Sequence, residues 1–308
     1  MISCTRFVKS SFDKLSNAYI KNYGDSATSK LKSIVDNTNQ SAKKLPVILI
    51  AGQQLTGKST MANRLSKHFQ GGKFYSVGTM FREIAAQLNI SVGLQSKMLR
   101  EIQESNDKEL VESNLKKMNG RRVDIDIDYN TCEIIAGKSD INDNNVQYIV
   151  IEGRQPAIMG SFLEQEPYNR KDLIKIFVTC SAREKAIRFL QREIGTEQAS
   201  IAEKMLPDHF SHNESLSNLT NAISKLPLPD INKVMNDFTV NQNRDEDDRQ
   251  RYIDIYGIDY QDEKYYDFII DTSNNTAPVN FQKVLDQLDN IKFQDQYNLS
   301  PKTNKDKE

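Results

Sequence analysis

Val47-Ile48-Leu49-Ile50-Ala51-Gly52-Gln53-Gln54-Leu55-Thr56-Gly57-Lys58-Ser59-Thr60 is the stretch on which the rest of the chain is read. From Leu45 to Ala51 the sequence is a continuous, β-branched apolar run with Pro46 near its start and Gly52 after it, which predicts a strand buried on both faces. Residues 58–70 then place Met61, Leu65 and Phe69 at helical spacing. Between strand and helix, Gly52-x-x-x-x-Gly57-Lys58-Ser59 satisfies the P-loop pattern in its required context. Glycines let such a loop curl until its backbone N–H groups converge on phosphate oxygens at the positive end of the helix. Gly52, Gln53, Gln54, Leu55, Thr56, Gly57, Lys58, Ser59 and Thr60 are therefore read as the phosphate cradle. Lys58 reaches the outer phosphates and the Ser59 hydroxyl is a Mg²⁺ ligand.

Working outward, further strand-like runs appear at Lys73–Val77, Gln147–Ile151, Leu173–Val178 and Tyr266–Asp271, each followed by a helical pattern or a turn leading to one. Alternation of this kind implies βαβ units and a parallel sheet, so the fold class is α/β. Ligands of such sheets lie beyond the carboxyl ends of the strands.

The whole-chain numbers exclude several classes. With 308 residues, 41 Lys+Arg against 42 Asp+Glu and a net charge of -1, there is no basic excess for a dedicated nucleic-acid binder. No apolar run is long enough to span a membrane. Cys4, Cys132 and Cys180 are odd in number and far apart, which makes neither a disulfide framework nor a zinc spacing and suits a reducing compartment. At 38% hydrophobic and 27 Asn, the chain is polar for its length. That surplus points to additions around a core. Residues 1–44 read as a polar N-terminal extension, eight Lys/Arg against three Asp, disordered or loosely helical. Residues 196–240, with Pro227, Pro229 and many Ser and Asn, read as an insertion, and 293–308 as a disordered tail.

Four more elements follow the P-loop in order: Ser76-Val77-Gly78-Thr79-Met80-Phe81-Arg82; Glu152-Gly153-Arg154 closing a buried strand; Arg188-x-x-x-Arg192, two guanidinium groups one helical turn apart; and Arg244 to Tyr252 ahead of Tyr266–Ser273. An Asn-Lys-x-Asp guanine reader in a suitable setting is missing. Together the five elements resemble the cytidylate kinases, in particular the archaeal-type CMP/dCMP kinase branch of the P-loop nucleoside monophosphate kinase family, over 45–195 and 241–292.

The resemblance implies a three-layer α/β/α P-loop NTPase fold with a five-stranded parallel sheet, a helical monophosphate-binding subdomain (77–140) and a lid, the insertion 196–240 falling at the lid of a 45–292 kinase domain. It implies transfer of the ATP γ-phosphate to CMP or dCMP with Mg²⁺. Arg82 and Arg154 would pair with the acceptor phosphate, since planar guanidinium matches phosphate bidentately. Glu152 would share the Mg²⁺ with Ser59. Arg188 and Arg192 would stabilise migrating charge, and Arg244, Asp248 and Arg251 would contact the cytidine nucleotide. Expected partners are small-molecule nucleotides, with no membrane and no nucleic acid, in a cytoplasmic monomer whose arm or insertion is free to bind another protein. Two other readings stay open: a related kinase acting on another monophosphate or small substrate, and a nucleotide-binding interaction protein on the same fold.

The remaining singled-out residues take plainer readings. His209-x-x-His212 beside Asp208 is incidental, and Arg183 and Lys185 are surface groups. Asp124, Asp126 and Asp128 alternate with Val123, Ile125 and Ile127 as in a strand, whereas the resemblance makes the segment helical. They are read as surface carboxylates, Asp128 lying nearest the nucleotide. The loop residues Gln53-Gln54-Leu55-Thr56 replace the small residues usual there, and Gln155 stands where bacterial relatives carry an Asp that helps read cytosine.

Overall fold

The computed structural model describes residues 4–120, 122–138, 140–206, 221–226, 228 and 230–302. Its strands are β1 (Val47–Ala51), β2 (Gly72–Ser76), β3 (Tyr148–Gly153), β4 (Leu173–Thr179) and β5 (Phe268–Asp271). They form one sheet, every pairing parallel, in the order β2-β3-β1-β4-β5. β1 and β3 are buried at every residue, as their unbroken apolar runs require. The register brings the motifs together: Ala51 lies opposite both Gly153 and Phe177, and Ser76 opposite Glu152. Gly52 and Arg154 thus leave the sheet side by side at its carboxyl edge. This is the three-layer α/β architecture expected of a P-loop protein.

The helices in chain order are α1 (Cys4–Tyr23), α2 (Ser26–Gln40), α3 (Lys58–His68), α4 (Val77–Gln87), α5 (Val92–Glu104), α6 (Lys108–Lys117) and α7 (Val123–Ala136). Then come α8 (Pro156–Glu164), α9 (Ala182–Ile194), α10 (Thr196–Met205), α11 (Ile231–Tyr256), α12 (Ala277–Asn290) and α13 (Phe293–Tyr297). The alternating Asp-Ile segment is the helix α7, capped by left-handed Gly137 and buried at all but two of its positions. A helix surrounded by protein shows no polar face, so its sequence carries no 3.6-residue stripe to read.

Two expectations about the additions are corrected. The N-terminal arm is not loose: α1 and α2 pack on each other and on α7, and α1 also lies along α11. Phe12, Leu15 and Tyr19 of α1 and Leu31 and Val35 of α2 are buried in the main core. Tyr19 meets Tyr129 edge-on at 5.1 Å, Phe12 approaches Phe162 at 5.8 Å, and Thr38 donates to the Ala136 carbonyl at 2.6 Å. Burying each such side chain contributes about 1.5–3 kcal/mol, enough to hold a helix whose other faces are polar. The tail is likewise ordered through 302: Phe293 and Leu299 are buried against Phe69, and Pro301 bridges Phe69. The insertion builds its own apolar cluster, with Ala199, Leu206, Ile223, Leu226, Val234 and Phe238 around Phe189 and Leu190 of α9. His209, His212 and Asp208 lie outside the described residues.

Among the described residues no helix is long and apolar enough to cross a membrane.

Candidate functional site

Where β1 ends, the chain must pass close to β4. A Cβ at Gly52 would lie 2.3 Å from the Val178 carbonyl oxygen, which is backbone and cannot yield. The loop then alternates handedness, with Leu55 (φ 62) and Gly57 (φ 87) both left-handed. Alternation of this kind turns successive N–H groups inward to make an anion nest. Glycine adopts that conformation freely, whereas leucine is strained in it by about 1 kcal/mol or more. Two contacts hold Leu55 there. Its side chain packs on the cluster built by the insertion, and its carbonyl accepts from Arg188 Nη1 at 2.9 Å. Arg188 also donates to the Thr272 hydroxyl (3.0 Å) and carbonyl (2.8 Å), tying the loop to the end of β5.

Beside the nest, Ser59 Oγ donates to Glu152 Oε2 at 3.2 Å, and Ser76 Oγ donates to Glu152 Oε1 at 2.5 Å. The Ser76 hydroxyl accepts in turn from the Thr79 amide, capping α4. Glu152 is 4% exposed. A hydroxyl and a buried carboxylate, both hard oxygen donors, are a set that Mg²⁺ takes. Lys58 Nζ donates to the Gln53 carbonyl at 3.2 Å. Burial pulls its ammonium below the ordinary lysine range, against the attraction of Glu152 and Asp245. An ammonium so placed gains when an anion arrives.

The loop, through Gln54, Leu55, Lys58 and Ser59, lines a cleft of about 310 Å³ that Arg82, Arg154, Arg192, Arg244, Asp248 and Arg251 also line. Arg154 is its centre. Nη2 binds Asp245 Oδ1 at 2.6 Å and Nη1 binds Asp248 Oδ2 at 2.7 Å, and Arg251 Nη2 reaches Asp248 Oδ1 at 3.1 Å. Burial disfavours the Arg154 charge, yet Asp248 and Asp245 keep it firmly protonated. Burial likewise works against Asp248, and the three surrounding arginines, Arg154 foremost, hold its carboxyl below the usual range. Arg244 is pulled down by burial, and its Nε has no hydrogen-bond partner. A nucleotide phosphate would relieve that deficit. Arg82 and Arg192 stand exposed at the rim, tied to Thr79 (2.8 Å) and Glu193 (2.8 Å).

The structure thus gathers Lys58, Ser59, Glu152, Arg154, Arg82, Arg192, Arg244, Asp248 and Arg251 about one cleft. Arg188 stands apart. It faces a second hollow of about 360 Å³ behind the loop, with Gly57, Thr60, Arg64 and Thr272. Residues 48–205, just over half of the chain, match the AAA domain family (AAA_18). The chain belongs to that AAA domain family. Two curated relatives, each named cytidylate kinase, align along most of their length. The one from Thermoplasma acidophilum is 24% identical over 248 residues, 80% of this chain and 95% of its own. The one from Staphylothermus marinus is 24% identical over 236 residues, 76% and 92% respectively. A crystal structure of an uncharacterized protein from Eubacterium ventriosum covers 79% of this chain and 98% of its own, at 13% identity and a TM-score of 0.38.

Within this AAA domain, the surface readings of several charged groups are corrected. Asp124 and Asp128 are 4% and 1% exposed. Asp124 pairs with Arg122 at 3.0 Å, and Asp128 Oδ2 accepts from the Tyr256 hydroxyl at 2.7 Å. Lys185 is 9% exposed and donates to Gln53 Oε1 at 2.6 Å, bracing the loop from α9. Arg183 donates to the Glu203 carbonyl at 3.0 Å. The residue that the sequence reading missed altogether is Asp245. Its only signal was its place between Arg244 and Asp248, which a solvated charged helix would share.

Proposed function

We propose that the chain is a P-loop nucleoside monophosphate kinase that transfers the γ-phosphate of ATP to CMP or dCMP. The observation that carries this reading is the gathering of Lys58 and Ser59 of the loop with Arg154, Arg82, Arg192 and Arg244 around one cleft. Phosphoryl transfer needs little covalent chemistry from a protein. It needs two polyanions held in line and their charge neutralised. The two curated relatives named cytidylate kinase support the choice of acceptor.

In this reading the residues of the nest, 52–60, cradle the donor phosphates, and the hollow beside Arg188 and Thr272 receives the rest of ATP. Ser59 and Glu152 hold Mg²⁺, which when bound supplies charge neutralisation at the phosphates. Arg82 and Arg154 grip the acceptor phosphate, Arg192 covers the transferring group, and Arg244, Asp248 and Arg251 hold the nucleoside. The kinase domain runs from 45 to 292, with 77–140 as its monophosphate-binding part and 196–240 as an elaboration at its lid. No protein-bound intermediate and no general base enter.

The test is ADP release in a coupled assay with CMP, dCMP, UMP, AMP and GMP as acceptors. Turnover strongest on the cytidine nucleotides is expected. Turnover confined to another monophosphate would replace the acceptor, and turnover with none of them would favour a nucleotide-binding interaction protein.

A further inference from the structure

Leu55 holds a conformation that its residue type resists. Among the described residues eight non-glycine residues have positive φ, and six of them are Asn or Asp. In that region Cβ crowds the following carbonyl oxygen, a clash that the short polar side chains of Asn and Asp offset by local hydrogen bonds. Leucine has no such compensation. Left-handed Leu55 (φ 62) nevertheless stands two residues before left-handed Gly57, and the pair gives the loop its inward-turned amides. Relaxed to an ordinary conformation, Leu55 would turn those amides away. Its side chain packs instead on an apolar cluster to which the 196–240 segment gives Leu206, Ile223, Leu226, Val234 and Phe238. Ile223 and Phe238 are fully buried there, and Phe238 meets Phe189 of α9 edge-on at 5.2 Å. The helix that carries Phe238 also grips the neighbouring loop residue. Asn241 Nδ2 donates to Gln54 Oε1 at 2.8 Å, and Asp245 accepts from the Gln54 amide at 3.1 Å. No described residue of 196–240 lines the cleft or the hollow behind the loop. The segment reaches the loop through Leu55.

We propose that the 196–240 segment is a positioning element of the phosphate site, its apolar cluster holding Leu55 in the left-handed conformation that the nest needs. The inference rests on the reading of residues 52–60 as the cradle of the donor phosphates, not on the choice of acceptor. A glycine at such a position adopts the turn without strain and needs no support. For Leu55, burial of the side chain against the cluster offsets the backbone strain. Loosening the cluster lets Leu55 return to its ordinary region, and the converging amides disperse. The segment thus contributes to nucleotide affinity without touching the nucleotide.

The experiment is a double-mutant cycle on the full chain, read by isothermal titration with ADP. Ile223→Ala empties part of the cluster from a stretch that bears neither Asn241 nor Asp245. It should weaken ADP binding by about 5- to 30-fold, the strain of one left-handed leucine expressed as affinity. In the Leu55→Gly background, whatever that change does alone, Ile223→Ala should alter affinity by less than about two-fold, because glycine holds the turn unaided. Two results overturn the proposal. One is an Ile223→Ala protein that melts lower yet binds ADP within about two-fold of wild type, the mark of a purely structural cluster. The other is an equal loss in both backgrounds. Should Ile223→Ala fail to fold, Leu55→Ala decides with the cluster left intact. It keeps the strain and discards the anchor, so it should bind ADP at least about 5-fold more weakly than Leu55→Gly. A difference within about two-fold overturns the proposal. A wild type that binds no ADP removes the cradle reading and this inference with it. A wild type that binds ADP but phosphorylates no cytidine nucleotide removes the (d)CMP kinase reading alone, and the cycle still decides the role of the segment.

Discussion

The carboxylate of Asp245 lies against the backbone amide of Gln54, Oδ1 3.1 Å and Oδ2 3.3 Å from the nitrogen, while Oδ1 also takes the 2.6 Å bond from Arg154. A side-chain anion from α11 thus rests on the phosphate loop and on the arginine that faces it. An arriving phosphate meets the same two donors, so Asp245 competes with it. Asp245→Asn should tighten binding of ADP by about 5- to 30-fold, as removal of one nearby charge at intermediate dielectric implies. Isothermal titration calorimetry reads this directly. Weaker binding would show instead that Asp245 holds Arg154 in place for the ligand.

Lys58 is the cation that the nest keeps partly desolvated. Lys58→Met should lower turnover by about 10³-fold or more, since the transferred charge loses its closest neutralising group. Its thermal midpoint should hold or rise, because a buried ammonium with only the Gln53 carbonyl as hydrogen-bond acceptor does little for stability. A loss of folding in circular dichroism would overturn that separation.

Leu31 is fully buried between the N-terminal helices and the main core. Leu31→Ala should cost about 2–5 kcal/mol in urea unfolding, the range for deleting a buried leucine. A disordered arm would show no change. Removing residues 1–44 altogether should expose the faces of α7 and α8 that Tyr19 and Phe12 cover, leaving a chain that aggregates on expression.

Asp128 also makes stability depend on pH. Its carboxyl rises from 3.8 to about 7 on folding, chiefly through burial. The folded state therefore binds more protons between those values, so its contribution is complete below pH 3.8 and is lost as pH rises through 7. The groups facing it are Asp124 and Cys132 from its own helix, Tyr19 from α1, Gln155 at the start of α8, and Arg251, Tyr252 and Tyr256 from α11. Asp128→Asn has no proton to release. Its stability relative to wild type should therefore improve between pH 5 and pH 8, by at most about 3 kcal/mol, two units at about 1.4 per unit. Parallel pH profiles for the two proteins would contradict this.

The strand, turn and helix start around Gly52 and Gly57 were legible because each part is local. Strand, glycine turn and helix start lie within 14 consecutive residues, and hydrophobic pattern and backbone freedom act at that range. Glu152-Gly153-Arg154 was legible for the same reason, since a buried run ending in charge must end at the edge of the sheet. Leu55 was less so. Its residue type argues against a left-handed turn, and only the insertion cluster and Arg188, remote in sequence, explain why it holds one.

The sequence by itself determined the α/β sheet, the nest at Gly52–Thr60 and the residue types available for phosphate, because these follow from periodicity and short-range stereochemistry. The tertiary structure alone decided that the polar arm is a packed pair of helices, that Lys185 and Arg188 brace the loop, and that Asp128 and Asp245 turn inward. Those outcomes depend on burial and on pairing between residues as far apart as Gln54 and Asp245. A charged residue looks the same in sequence whether water or a counter-charge will face it, and only the assembled core settles which.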